Sequence, residues 1–252
     1  MVAGCARRAD KMEEMLREVA DETSGSVDRE RLFVSTVDVR KGDEVAAWAD
    51  RAAEHFGVAP TLVVANAGIG GGGQKVEGWK LDPDELANVL QTNVIGVLNV
   101  ARAFVPKMLA REDGVRSAFV AISSGLGRST AAKRTAYCSS KFAVEAMVKC
   151  IAHDLVADGS RVLAVALAPG ILRTEMNTQD AAPPANSSWA EVAVSYMLGE
   201  TMLASEDPGA VNGASLSVPG YYAEAYRSTW IIEDGTRLRT SRYAEAAVKQ
   251  YR

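Results

Sequence analysis

The sequence predicts an α/β domain built on a parallel sheet, and three observations carry that prediction. Apolar runs of strand length alternate with stretches of helical period, the pattern of repeated strand–helix–strand units with right-handed crossovers. The run Ala118–Ser123 is short and almost wholly apolar, as a strand buried on both faces is. The length of 252 residues suits one such domain with a substantial core, and no internal repeat or low-complexity stretch divides it.

Taken in order, Asp10–Asp21 reads as helix, Arg31–Asp38 as strand, Glu44–His55 as helix and Thr61–Ala65 as strand. A long helix is predicted over Pro83–Ala110, because Asp82 is a good N-cap and Pro83 suits the first turn. Its residues Leu86, Leu90, Val97, Ala101 and Met108 fall near one stripe. That stripe suits burial against its own sheet as well as pairing with a second copy. After the strand Ala118–Ser123 comes a helix over Thr135–Ala157, where Ala143, Met147, Ile151 and Leu155 recur every four residues. Arg161–Ala168 reads as strand, Trp189–Leu203 as helix and Ala214–Val218 as strand.

Candidate chemistry gathers around the Thr135–Ala157 helix. Tyr137 lies thirteen positions after Ser124, and Lys141 lies four after Tyr137, so tyrosine and lysine share one helical face a turn apart. A phenol with an ordinary pKa of about 10 is a poor proton donor at neutral pH. A neighbouring ammonium would favour its ionised form and lower that value, giving a pair able to cycle a proton. Ser124, at the carboxyl end of a parallel strand, would face a ligand crevice and hold a carbonyl oxygen near the tyrosine. Tyr-x-x-x-Lys alone also arises by chance, so its surroundings decide.

Those surroundings resemble the short-chain dehydrogenase/reductase family over nearly the whole chain. Asn66-Ala67-Gly68 after Thr61–Ala65 is similar to the family's Asn-Ala-Gly element, and Asn93 to its helix asparagine. Ser124 matches the catalytic serine, and Tyr137 with Lys141 the catalytic pair. The stretch from Pro169 and Gly170 through Leu172 to Thr174 matches the segment that closes over the nicotinamide. Five elements in the right order are specific where each alone is weak. Within the family, Ser123–Ser129, Tyr137-Cys138 and Asn212–Val218 are most similar to plant NADPH-dependent pterin aldehyde reductases.

The resemblance implies a Rossmann-type doubly wound parallel sheet, with a departure at its start. Members open on a strand and a glycine-rich turn that approaches the cofactor pyrophosphate. Here Met1–Arg8 resembles the end of the family's second strand, so the first strand and phosphate-binding loop are expected to be lacking, by truncation or by rearrangement. In the order 3-2-1-4-5-6 that strand is central, and its loss would separate the next two strands from the rest. The run Gly68–Gly73 formally fits Gly-x-Gly-x-x-Gly, but Gln74–Leu81 lacks a helical period and includes Gly78. The run therefore reads as a loop rather than a phosphate cradle.

For the cofactor, the resemblance implies NADP(H). Ala6 stands where NAD-preferring relatives carry an acidic residue, and the Arg7 guanidinium that follows suits a 2′-phosphate. Arg7 and Arg8 read equally as solvated arginines near a terminus. Asp38 and Val39 resemble the family's adenine-contacting pair, although an Asp after a strand is also an ordinary turn former. Asn66, Ala67, Gly68, Tyr137, Lys141, Pro169, Gly170, Leu172 and Thr174 complete the implied cofactor contacts.

Composition narrows the partners. A net charge of −4 gives no reason to expect nucleic acid or an anionic membrane. No apolar run of membrane-spanning length is apparent, and Met1–Lys11 lacks the hydrophobic region of a signal peptide. Cys5, Cys138 and Cys150 read as reduced packing residues, consistent with a cytoplasmic protein. His55 and His153 lack companion ligands and read as surface residues, so no metal is expected.

Substrate choice is expected in Ile171–Ser188, a candidate lid, and in the tail from Pro219, a single-domain chain's C-terminal extension. The tail's Tyr221, Tyr222, Tyr226, Trp230 and Tyr243 suit a planar ligand, and equally an anchor onto the core or a partner subunit. The expected function is NADPH-dependent reduction of a small aldehyde or ketone, a pterin aldehyde being one candidate. By resemblance, Tyr137 donates the proton, Lys141 tunes it and bonds the nicotinamide ribose, Ser124 holds the carbonyl, and Asn93 positions a water. A homodimer or homotetramer is implied. A non-catalytic binding protein and a steroid or xenobiotic carbonyl reductase are the alternatives.

Overall fold

Parallel strands alternate with helices in a computed structural model that describes residues 1–22, 28–71, 76–169, 213 and 215–217. The strands are β1 (Val2–Ala6), β2 (Leu32–Thr36), β3 (Leu62–Ala65), β4 (Ser117–Ile122), β5 (Val162–Ala168) and β6 (Ser215–Ser217). The helices are α1 (Ala9–Glu22), α2 (Gly42–Phe56), α3 (Pro83–Leu90), α4 (Gly96–Leu109) and α5 (Thr135–Ala157). The helix expected over Trp189–Leu203 lies outside the described residues.

All strand pairs are parallel, but they form two ladders: β1-β2, and β3-β4-β5-β6. The sequence expectation was a division at this place, with the first two strands parted from the rest. Both ladders nevertheless serve one core, in which Val37 and Val39 beyond β2 join Val63 and Ala65 of β3 and Phe119 and Ala121 of β4. β4 and β5 lie at its centre. Every residue of β5 is buried, as are Ser117–Ala121 of β4, which explains why these strands carry continuous apolar runs rather than alternating ones. The β3 edge is less covered, with Val64 exposed.

α2 packs on α4 through an edge-to-face contact of Trp48 and Phe104, ring centroids 5.2 Å apart. At the start of α4, a Cβ on Gly96 would lie 2.8 Å from Val39 Cγ2, so only glycine lets the helix approach the end of β2 this closely.

α3 starts as its sequence indicates. The Asp82 side chain accepts from the Asp84 N–H at 2.9 Å, and Pro83 occupies the first turn. The helix expected to run unbroken to Ala110 is interrupted by a π turn, Gln91–Ile95, between α3 and α4. The combined stretch Pro83–Leu109 is long and apolar enough to cross a membrane by length and composition, contrary to the sequence reading. Half of its apolar window is buried inside the protein, as in a core helix. Just beyond α5, Gly159 takes a left-handed φ of 64, which lets the Ser160 N–H return to the Leu155 carbonyl at 3.0 Å.

His55 is exposed, as expected, and stacks on Phe33 with ring centroids 5.1 Å apart. His153 is exposed too. Cys138 is buried and Cys5 half-buried, and burial pushes the Cys5 thiol up to about 11. Cys150 is exposed, so it is not the packing residue the sequence suggested.

Candidate active site

Parallel strands aim their carboxyl ends at one rim, and the candidate residues collect there. Ser124 follows β4 in extended conformation and caps the short 3₁₀ turn Gly125–Gly127, its Oγ accepting from the Leu126 N–H at 3.2 Å. Tyr137 and Lys141 lie in the first two turns of α5. The Ser124 hydroxyl lies close enough to the Tyr137 phenol to lower its pKa, so the serine and tyrosine that the sequence set thirteen residues apart meet. Lys141 Nζ lies 5.7 Å from the centre of the Tyr137 ring and donates to the Ile122 carbonyl at 2.7 Å.

The electrostatics differ from the expectation in one respect. Burial is the largest influence on Tyr137 and raises its pKa above the usual value. The Ser124 hydroxyl and the charge of Arg134 pull it down. Lys141, expected to do the lowering, has its ammonium engaged by the Ile122 carbonyl, 5.7 Å from the centre of the phenol ring. Burial in turn depresses Lys141 to about 8, against an opposing pull from Glu145.

Asn93 is wholly buried at the middle of the π turn. Its Oδ1 accepts from the Ile69 N–H at 2.8 Å, while Nδ2 donates to the Ile69 carbonyl at 2.9 Å and to Ser140 Oγ at 3.0 Å. Ser140 Oγ donates in turn to the Tyr137 carbonyl at 2.7 Å. The asparagine thus ties the loop after β3 to the helix that carries the tyrosine. Gly68 fits between the two: a Cβ there would meet Asn93 Oδ1 at 3.4 Å and Lys141 Nζ at 3.8 Å. Asn66 and Ala67 are exposed at the end of β3, and Pro169 is half-buried after β5. Gly170, Leu172 and Thr174, like the candidate lid and the aromatic tail, lie outside the described residues.

At the ends of β1 and β2 the picture is mixed. Arg7 is exposed and close enough for its charge to act on Asp38. Asp38 is held chiefly by Arg40, whose Nε and Nη2 donate to its carboxylate at 2.9 and 2.6 Å. That contact depresses the Asp38 carboxyl to about 2. Val39 turns its side chain into the core against Gly96, and its carbonyl accepts from Asn99 Nδ2 at 2.9 Å. Of the Gly68–Gly73 run, Gly68–Gly71 is irregular while Gly72 and Gly73 lie outside the described residues; a 3₁₀ turn at Gly78–Lys80 precedes α3.

Sequence reasoning overlooked three members of this cluster: Ser140, the Ile122 carbonyl and Glu145. Ser140 had a signal, standing three residues after Tyr137 where a hydroxyl reaches the preceding turn's carbonyl. Glu145 had one also, as an acid four residues beyond Lys141 on the same helix.

Comparison with known proteins agrees with this geometry. Residues 1–184 match the short chain dehydrogenase family. The chain is 35% identical over 222 residues to an NADPH-dependent pterin aldehyde reductase of Arabidopsis thaliana, covering 86% of this chain and 82% of that protein. It is also 35% identical over 139 residues to a 3alpha-hydroxysteroid dehydrogenase of Mediterraneibacter gnavus, covering 53% of this chain and 50% of that one. Its fold superposes with a TM-score of 0.71 on a short chain dehydrogenase of Pseudomonas syringae, 22% identical, covering 86% of this chain and 84% of the other. A short chain dehydrogenase of Escherichia coli CFT073 complexed with NADPH gives 0.69 at 22% identity, covering 87% and 86%. With a match across most of its length and the serine, tyrosine and lysine gathered at the strand ends, the chain belongs to the short-chain dehydrogenase family.

Proposed function

We propose that the chain is an NADPH-dependent carbonyl reductase that converts a small aldehyde or ketone to the alcohol, with Tyr137 donating the proton. The observation that carries this reading is that Ser124 and Tyr137 meet at the carboxyl end of β4, close enough for the serine hydroxyl to pull the phenol's pKa down. A carbonyl oxygen placed between those two hydroxyls receives a hydrogen bond from each as negative charge develops on it. NADPH, when bound, supplies the hydride.

The residues fit the nicotinamide end of that cofactor. Lys141 Nζ borders the space beside Gly68 that a larger residue would fill, and with Tyr137 it would hold the ribose. Arg7 would take the 2′-phosphate, next to the Asp38–Arg40 pair. Burial keeps Tyr137 protonated before the reaction, as a proton donor must be, and Ser124 stabilises the phenolate left behind. Lys141 then supplies positive charge near that phenolate. Asn93 keeps the Gly68 loop and α5 in register through Ile69 and Ser140.

A pterin aldehyde is the substrate we favour, on the extended similarity to the Arabidopsis reductase; the similarity to a steroid dehydrogenase supports a bulkier ketone as the rival. The proposal includes a cytoplasmic location, which free thiols suit, and a homo-oligomer. A non-catalytic reading is favoured by one observation: among the described residues no glycine-rich turn opens a helix where a pyrophosphate would rest.

Two measurements test the reading. NADPH fluorescence titration should saturate in the micromolar range or tighter, and no saturable binding would favour the non-catalytic alternative. Tyr137→Phe should abolish reduction of a substrate panel while leaving the circular dichroism spectrum and melting temperature nearly unchanged. Comparable turnover in that variant overturns the assigned role.

A further inference from the structure

Glu145 is a buried acid for which the proposed mechanism has no use. It sits on α5 one turn beyond Lys141 and is 5% exposed. Neither carboxylate oxygen has a hydrogen-bond partner among the described residues. The nearest cation at its oxygens, Arg128 Nε, stands off at 3.7 Å and is itself partly exposed. Gly127 packs into the same corner, where a Cβ would meet Ser123 Oγ at 2.8 Å and Glu145 Cγ and the Lys141 carbonyl each at 3.0 Å. Lys141 and Glu145 are the amine and the carboxylate buried together in this core, at the i, i+4 spacing that brings helical side chains together. Leaving an acid in such surroundings without hydrogen bonds is destabilising unless its charge serves a neighbour.

We propose that Glu145 is a positioning residue for Lys141. Its carboxylate, one helical turn away and shut off from water, keeps the lysine cationic on the face it shares with Tyr137. The inference rests on the reductase reading, and its direction agrees with the sign of Glu145's influence on Lys141. The charged groups facing the pair are Arg128 from the turn after β4, Tyr137 and exposed Lys149 from α5, and Arg134 at the head of α5, whose charge acts on Tyr137. β5, which packs beneath, is wholly apolar, the π turn presents neutral Thr92 and Asn93, and Glu85 of α3 directs its carboxylate to Gly71.

Removing one buried negative charge eases proton loss from both Lys141 and Tyr137, so both changes move the same way. The test compares wild type, Glu145→Gln, Glu145→Asp and Arg128→Gln in kcat/KM for an aldehyde with NADPH across pH 6 to 10. In parallel, competitive acetylation of Lys141 in the cofactor-free protein is followed by mass spectrometry. Glu145→Gln should carry the alkaline limb to lower pH by roughly one unit and raise Lys141 acetylation at pH 8 several-fold. Glu145→Asp should restore most of both, and Arg128→Gln should move the limb the opposite way. A uniform rate loss at every pH with unchanged acetylation overturns the proposal, as does an aspartate variant that behaves like the glutamine one. If Glu145→Gln does not fold, the Arg128→Gln arm decides: no upward movement refutes it. Should wild type show no reductase activity, the functional reading fails while the acetylation arm still decides the role of Glu145.

Discussion

Asn93 and Ile69 hold each other by both of their polar groups, Ile69 N–H to Asn93 Oδ1 at 2.8 Å and Asn93 Nδ2 to the Ile69 carbonyl at 2.9 Å. A side-chain amide here does what a neighbouring strand would do, completing the backbone pairing of a loop with another element's side chain.

Asn93→Leu, similar in volume, should therefore strip two partners from the Ile69 backbone and one from Ser140. The expected loss is about 2–4 kcal/mol of stability, from buried polar groups left unpaired. Urea unfolding measures it, and a change below about 0.5 kcal/mol would show the clamp to be dispensable.

Gly96→Val should be more damaging than its helical position suggests. The new Cβ would sit 2.8 Å from Val39 Cγ2, and overpacking of this kind is destabilising by about 1–3 kcal/mol or more. Pairing it with Val39→Ala should recover part of the loss in a double-mutant cycle.

Asp38 should mark the acid limb of stability. Its carboxyl is held down to about 2 by Arg40, below the ordinary value of about 3.9. A depressed carboxylate stabilises the fold above its unfolded pKa, and that contribution is lost as pH falls from about 4 toward 2. Arg40→Ala should raise the Asp38 value toward normal and remove that part of the acid-side loss, read by carboxyl NMR titration and acid unfolding.

Lys141 should act on the alkaline side, where stability again rises with pH. Its folded-state value of about 8 lies below the ordinary 10.4 or so. The unfolded chain thus binds the proton more readily between those values, and stability rises with pH across that window. Burial of the ammonium is fully unfavourable below pH 8 and relieved above about 10.4. Lys141→Met should abolish this rise, of order 3 kcal/mol at most, in urea melts at successive pH values.

Much of this arrangement was legible in the sequence. Thr135–Ala157 was read with the bounds observed for α5, because a four-residue apolar period is closed by Asp158-Gly159. β4 and β5 were recognisable because burial on both faces leaves no room for polar alternation. The π turn was not, since the extra residue at Gln91–Ile95 carries no proline or glycine to announce it. The direction of the Tyr137 shift was missed for a related reason. Sequence spacing showed that tyrosine and lysine share a face, but not that Lys141 Nζ would be engaged by the Ile122 carbonyl. Val39 was read as an adenine contact, and the sequence did not show that its side chain packs against Gly96, which depends on how closely two elements approach.

The two separate ladders have a consequence for how the molecule breathes. Amides of β5 lie between partners on either side, whereas among the described residues β1 pairs with β2 alone and meets the remainder through side-chain contacts. Deuterium should thus enter Val2–Ala6 long before it enters Val162–Ala168, at free energies well short of global opening. A long anion reaching from Arg7 to Tyr137 would straddle that seam, and slowing of exchange in β1 on its addition would report the two halves being stitched together.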